Sequence, residues 1–131
     1  VIINTKNRFY EHKILKLIKK YNISLICLAG YMKIISSFFL RNYKKKIINI
    51  HPSLLPKFKG LNTYERVLKN NEIKTGCTVH YVNEKLDSGN IINQKSFFID
   101  KKDNSNILKQ RTQKLEYQSF PEAIIKIYRY S

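Results

Sequence analysis

The chain has 131 residues, 43% of them hydrophobic, enough to build the core of one domain and far from the composition of a disordered segment. Its 25 Lys and Arg against 9 Asp and Glu give a net charge of +16, but the lysines lie in short scattered runs (Lys19-Lys20, Lys44-Lys45-Lys46, Lys101-Lys102), as on solvated faces, so a nucleic-acid-binding module is the weaker reading. No apolar run reaches the ~20 residues of a membrane span, no leader peptide is visible, and Cys27 and Cys77 have no metal-ligand spacing, so a cytoplasmic, metal-free chain is expected, with Cys27 a buried free thiol.

Val1-Ile2-Ile3 reads as the end of a strand. From Phe9 to Tyr21, the residues Tyr10, Ile14, Leu17, Ile18 and Tyr21 recur at helical spacing, which predicts an amphipathic helix stopped at Asn22. Leu25 to Ala29, closed by Gly30, and Ile47 to Ile50, closed by His51-Pro52, are short apolar runs suited to buried parallel strands. Between them Ser36 or Ser37 can cap a short helix through Phe38, Phe39 and Leu40. This is the βαβ order of an open, mostly parallel α/β sheet flanked by helices. Gly60-Leu61-Asn62 predicts a turn, and Asn62 with Glu65 fits a capping box at the start of a helix running to Asn70. Thr75 to Val82 is β-branched and aromatic, hence a strand. A polar loop, Asn83 to Asn90, leads to another strand, Ile91 to Ile99. Asp103 or Ser105 is placed to cap a long final helix, which Pro121 should break or restart.

Asn49 and His51 stand two apart at the end of a predicted strand, so their side chains share a face. An open α/β sheet binds its ligands at that carboxyl end. Two roles fit them: capping the backbone groups of the strand end, or forming a polar site. Pro52 forces His51 out of the helical region, and with Pro56 it stiffens the loop that follows. Asp87 fits either a turn or a site. His80 alternates with Val79 and Tyr81 and is read as a satisfied core histidine, with a site-facing role as the alternative; His12 has no evident partner.

The residue pattern narrows these choices. Asn49-Ile50-His51-Pro52-Ser53-Leu54-Leu55-Pro56-Lys57-Phe58-Lys59-Gly60 resembles the signature of the phosphoribosylglycinamide formyltransferase family. Leu28 to Ile35 upstream, and Gly76 to Val82 and Leu86-Asp87-Ser88-Gly89 downstream, resemble further blocks of that family, in its order and spacing, over nearly the whole chain. Pro52 after His51, and Gly60-Leu61-Asn62-Thr63 downstream, favour this family over formyltetrahydrofolate hydrolases, and Gly60-Leu61-Asn62-Thr63 over methionyl-tRNA formyltransferases too; Tyr64 departs from a histidine frequent in the family.

The resemblance implies a Rossmann-like formyltransferase fold, a cytoplasmic monomer or weak dimer, and formyl transfer from 10-formyltetrahydrofolate to the amine of glycinamide ribonucleotide in purine biosynthesis. It assigns catalysis to Asn49, His51 and Asp87. Asn49 would donate to the developing oxyanion, His51 would serve as imidazolium and general acid, and Asp87 would hold His51 charged. It assigns the folate pocket to Met32, Lys33, Ile34, Ile35, Asn49 and Val82, and ribonucleotide contacts to Gln113 and Glu116, which lie on one helix face. An arginine of the family near the first helix falls at Asn7 or Arg8 and is left open. Residues 1–131 are then expected to form a single catalytic domain without the family's first strands and phosphate-binding loop, weakly stable and weakly active alone. Formyltetrahydrofolate hydrolysis, or another formyl transfer of the same superfamily, is the nearest alternative, and a basic nucleic-acid-binding module a distant one.

Overall fold

The first apolar periodicity of the chain forms an amphipathic helix, and the short continuous apolar runs that follow form strands. The computed structural model describes residues 1–129. In chain order these hold α1 (Tyr10–Lys20), β1 (Leu25–Ala29), α2 (Ser37–Asn42), β2 (Lys46–His51), α3 (Thr63–Lys69), β3 (Lys74–Tyr81), β4 (Ile91–Phe98) and α4 (Ser105–Arg129).

The four strands form one sheet in the order β1-β2-β3-β4. β1 and β2 are parallel, joined by a crossover through α2, whereas β2–β3 and β3–β4 are antiparallel. The α/β class is as expected, but parallel pairing among the described strands is confined to β1–β2. For β3–β4 the cause is the connection: residues 83–90 form a loop without a helix, and so short a link returns the chain antiparallel.

Alternation along β2 divides the core in two. Ile48 and Ile50 point to the face covered by α4, where they pack with Cys77, Val79, Ile92, Ala123 and Ile127. Ile47 points to the opposite face and joins Ile35, Phe39 and Tyr43, under Ile14, Leu15 and Ile18 of α1. Asn49 and His51 continue the Ile47 side, which places the two polar residues at the sheet's carboxyl edge. β3 presses tightly on β4: a Cβ on Gly76 would stand 1.9 Å from the Lys95 carbonyl oxygen, so only glycine fits there.

Most element ends have local causes. Ser36 caps α2 by accepting from the Phe39 N–H at 3.1 Å. Asn22, at φ 50°, ends α1 with the Ile23 N–H bonded back to the Ile18 carbonyl at 3.0 Å.

Several expectations are corrected. Val1-Ile2-Ile3 forms no strand, and Val1 and Ile2 are fully exposed, because no neighbouring strand satisfies them. Cys27 is exposed while Cys77 is buried, both as free thiols; β1 is an edge strand and α4 covers its inner neighbours instead. Asn62 does not cap α3 through its side chain, since it sits in the left-handed region at φ 56°. Asn104 caps α4 by accepting from the Ile107 N–H at 2.9 Å, while Asp103 is turned to Arg111 at 2.6 Å. Pro121 lies inside an unbroken α4. The carbonyl it deprives of a partner belongs to Tyr117, which is 75% exposed, so water can replace the lost bond.

Candidate active site

The register of β2 on β3 sets Asn49 opposite His80. The Asn49 Nδ2 donates to His80 Nε2 at 3.4 Å, and His80 Nδ1 donates to the Tyr81 carbonyl at 2.9 Å. That pattern belongs to a neutral ring protonated on Nδ1. Burial pushes His80 below its ordinary value of 6.5 and outweighs the opposing pull of the Tyr81 carbonyl and of Asp87, whose Oδ1 lies 3.7 Å from Nε2. His80 thereby orients the Asn49 amide, whose second N–H is left to donate elsewhere.

Beyond β2 the chain folds back over β3 as residues 52–60. The Thr78 hydroxyl donates to the Ser53 carbonyl at 2.7 Å and accepts from the Leu55 N–H at 3.1 Å, and the Ser53 hydroxyl donates to the Lys57 carbonyl at 2.6 Å. Phe58 is held at φ 55°, a region a non-glycine residue seldom occupies. Its carbonyl accepts from His51 Nε2 at 2.8 Å.

Asp87 reaches the same place from the loop between β3 and β4. Its Oδ2 accepts from the Gly60 N–H at 2.9 Å and lies 3.4 Å from His51 Nδ1. Both nitrogens of His51 thus face acceptors, and only the imidazolium can donate to both. His51 and Asp87 are 6% and 8% exposed, which strengthens their mutual attraction and limits competition from water.

Two cavities meet at this cluster. The larger, about 610 Å³, is lined by Met32, Asn49, His51, Asp87, Gln113 and Glu116 among others. The smaller is lined by Lys33, Ile34, Ile35, Val82, Asn49, His80 and Asp87. Asn49 and Asp87 belong to both walls. Every site residue expected from the sequence therefore borders one of two adjoining spaces. Their surroundings differ: Met32 and Ile34 are 70% and 61% exposed, Ile35 packs into the core under α1, and the Lys33 ammonium is bound to the Thr5 carbonyl.

In the larger cavity, burial raises the Glu116 carboxyl above its ordinary range. Burial and then the charge of Glu116 push Tyr64 up to about 12. Among the described residues no group of three or more His, Cys, Asp and Glu is arranged to hold a metal ion. No helix among them is long and apolar enough to cross a membrane.

Sequence reasoning favours a satisfied core role for His80 and leaves a site-facing role as the alternative. It is buried, as expected, but its partners are Asn49 and Asp87. Its seven-residue spacing from Asp87 carries no local signal, whereas a strand register would have exposed the pairing. The Phe58 carbonyl and the Gly60 N–H are backbone groups, invisible to any search for side-chain chemistry.

Comparison with known proteins gives consistent results. The family model described as "Formyl transferase" matches residues 4–124. The human trifunctional purine biosynthetic protein adenosine-3 is 40% identical over 120 residues, which is 91% of this chain and 12% of the relative. Its Drosophila melanogaster counterpart is 41% identical over 115 residues, 88% of this chain and 8% of the relative. Among solved structures, phosphoribosylglycinamide formyltransferase from Bacillus halodurans superposes with a TM-score of 0.85 at 37% identity, covering 90% of this chain and 61% of that one. The Anaplasma phagocytophilum enzyme gives 0.83 at 39%, covering 86% and 54%. The chain thus spans a small part of these curated relatives and less than two thirds of these solved structures.

Proposed function

Since the chain belongs to the formyl transferase family, we propose that its cavities carry the transfer of a formyl group from 10-formyltetrahydrofolate to the amine of glycinamide ribonucleotide, a step of purine biosynthesis. The observation that carries this reading is the convergence of Asn49, His51 and Asp87 on the wall where the two cavities join. An acceptor amine and a formyl donor must meet at one point, and the polar groups that manage charge and protons stand at that point.

The smaller cavity, about 40 Å³, is too small to hold a folate by itself, and the pterin lies against its apolar mouth, where it adjoins the larger cavity. Exposed apolar Ile34 and the half-buried Val82 offer a surface to a flat pterin ring, with Lys33 on the same edge, while Met32 borders the larger cavity beside it. The folate, when bound, supplies the formyl group. The larger cavity takes the ribonucleotide, with Gln113 and Glu116 of α4 on its far wall. The positive charge of the chain favours both polyanionic ligands.

In the reaction, negative charge develops on the carbonyl oxygen of the transferred group as the amine attacks. The free N–H of Asn49 donates to that oxygen, and a preorganised donor of this kind contributes about 3 kcal/mol. His51 has Nε2 tied to the Phe58 carbonyl, so its proton donor is Nδ1; that N–H faces Asp87 at 3.4 Å before substrates bind, turns to the reacting centre once they are in place, and gives up its proton to the departing amine of the donor. Asp87 balances the charge of His51 and takes up, through water, the proton released by the attacking amine. No metal is required by this chemistry.

The test is formyl transfer by the intact gene product, with 10-formyltetrahydrofolate and glycinamide ribonucleotide, wild type beside His51→Ala. The expected outcome is transfer by the wild type and a rate lower by about 100-fold or more in the variant. Release of formate without transfer would instead assign the site to hydrolysis.

A further inference from the structure

We propose that Arg66, a residue of α3 that lines neither cavity, is a positioning residue that sets the ring of His51 through the backbone of the loop 57–60. Both terminal nitrogens of its guanidinium donate to the Lys59 carbonyl, Nη1 at 2.9 Å and Nη2 at 2.5 Å. The same group stands 5.6 Å from the centre of the Phe58 ring. Its Nε is buried with no hydrogen-bond partner, so the side chain is held in place at the expense of one unsatisfied donor. A surface arginine placed only for solubility would not bury a donor in this way.

The clamped loop touches both members of the His51–Asp87 pair. On one side of Lys59, the Phe58 carbonyl accepts from His51 Nε2. On the other, the Gly60 N–H donates to Asp87 Oδ2. The Lys59 ammonium itself reaches the Ser88 hydroxyl at 2.9 Å, next to Asp87. Phe58 must hold φ at 55° to aim its carbonyl at the ring, a conformation that a phenylalanine keeps only where its surroundings enforce it. Ser53 restrains the loop from within, through the Lys57 and Phe58 carbonyls. Arg66 restrains it from the adjacent helix, by a planar fork that cannot lose its charge. With that fork gone, the loop is held by the Ser53 hydroxyl, whose contact to the Phe58 carbonyl is long at 3.3 Å; the carbonyl turns more readily, and the ring of His51 loses the fixed acceptor that sets which nitrogen faces Asp87.

The consequence for catalysis rests on the function proposed above, but the structural claim does not, so two arms are needed. In the intact protein, Arg66→Met and Arg66→Lys are compared with the wild type. In the first arm, ring ¹⁵N spectra follow the His51 Nε2–H. Arg66→Met should lose the protected, hydrogen-bonded Nε2–H signal, and Arg66→Lys, which keeps one donor toward the Lys59 carbonyl, should retain part of it. In the second arm, formyl transfer by Arg66→Met should show kcat lower by about 10- to 100-fold with KM within about threefold, and Arg66→Lys should recover much of the loss. An unchanged His51 signal in folded Arg66→Met overturns the inference. So does a loss of kcat matched by lower melting temperature that Arg66→Lys does not rescue, because that marks a merely structural role. If wild type transfers no formyl group, the functional reading fails and the spectral arm still decides the role of Arg66.

Discussion

Replacing Gly89 with alanine tests how the Asp87 loop is held. A Cβ at position 89 would stand 1.6 Å from the Tyr81 carbonyl oxygen and 2.6 Å from its carbon. Ordinary carbon–oxygen contacts lie at roughly 3.3 Å, so about 1.7 Å of movement is needed. Tyr81 is paired with β2 and cannot yield, because its displacement would open the middle of the sheet. The loop must move instead. Three contacts tie it down: the Tyr81 N–H to the Asn90 carbonyl, the Gly60 N–H to Asp87 Oδ2 and the Lys59 ammonium to the Ser88 hydroxyl, each 2.9 Å. At about 1 kcal/mol for each hydrogen bond, losing two or three costs about 2–3 kcal/mol. For a domain of this size that is a fall of about 10 °C in melting temperature. Asp87, two residues away, leaves His51, and a displacement on the order of 1 Å at a reacting group lowers kcat by about 100-fold. Thermal unfolding and initial rates of formyl transfer on the intact gene product measure both effects. Melting within about 2 °C of wild type and a rate within about twofold would refute this account of the loop.

Two further outcomes are expected. His80 is held below 6.5 in the folded protein, so the unfolded chain takes up its proton first as the solution is acidified; the stability from a neutral, bonded His80 is present above 6.5 and is lost as the pH falls below it. His80→Gln should flatten this part of the stability curve in chemical denaturation, and an unchanged slope would show that the titration lies elsewhere. In native protein an alkylating reagent should modify exposed Cys27 and spare Cys77, whose thiol is buried and pushed up to about 11; mass spectrometry should find one adduct among these two before unfolding and two after it, whereas rapid double labelling would contradict the packing of α4 on β3.

The sequence by itself determined the order of elements from α1 onward and named the candidate residues of the site. Periodicity separated α1 from the strands, because an amphipathic helix and a buried strand distribute apolar residues differently along the chain. Apolar runs closed by Gly30 and by His51-Pro52 marked the carboxyl ends of β1 and β2, and the two-residue spacing of Asn49 and His51 put both side chains on one face. Those are local consequences of backbone geometry. The tertiary structure alone decided what lies across a strand or between loops. The register of β2 on β3 brings His80 to Asn49, from 31 residues away. Edge or interior position decided that Cys27 is exposed and Cys77 buried, although both sit in apolar strands. The pairing of Asp87 with His51, and the backbone groups of Phe58 and Gly60 that align it, arise where two loops distant in sequence close on each other. Such contacts have no signature in the chain because any polar backbone group can make them, and only the folded path of the loops determines which one does.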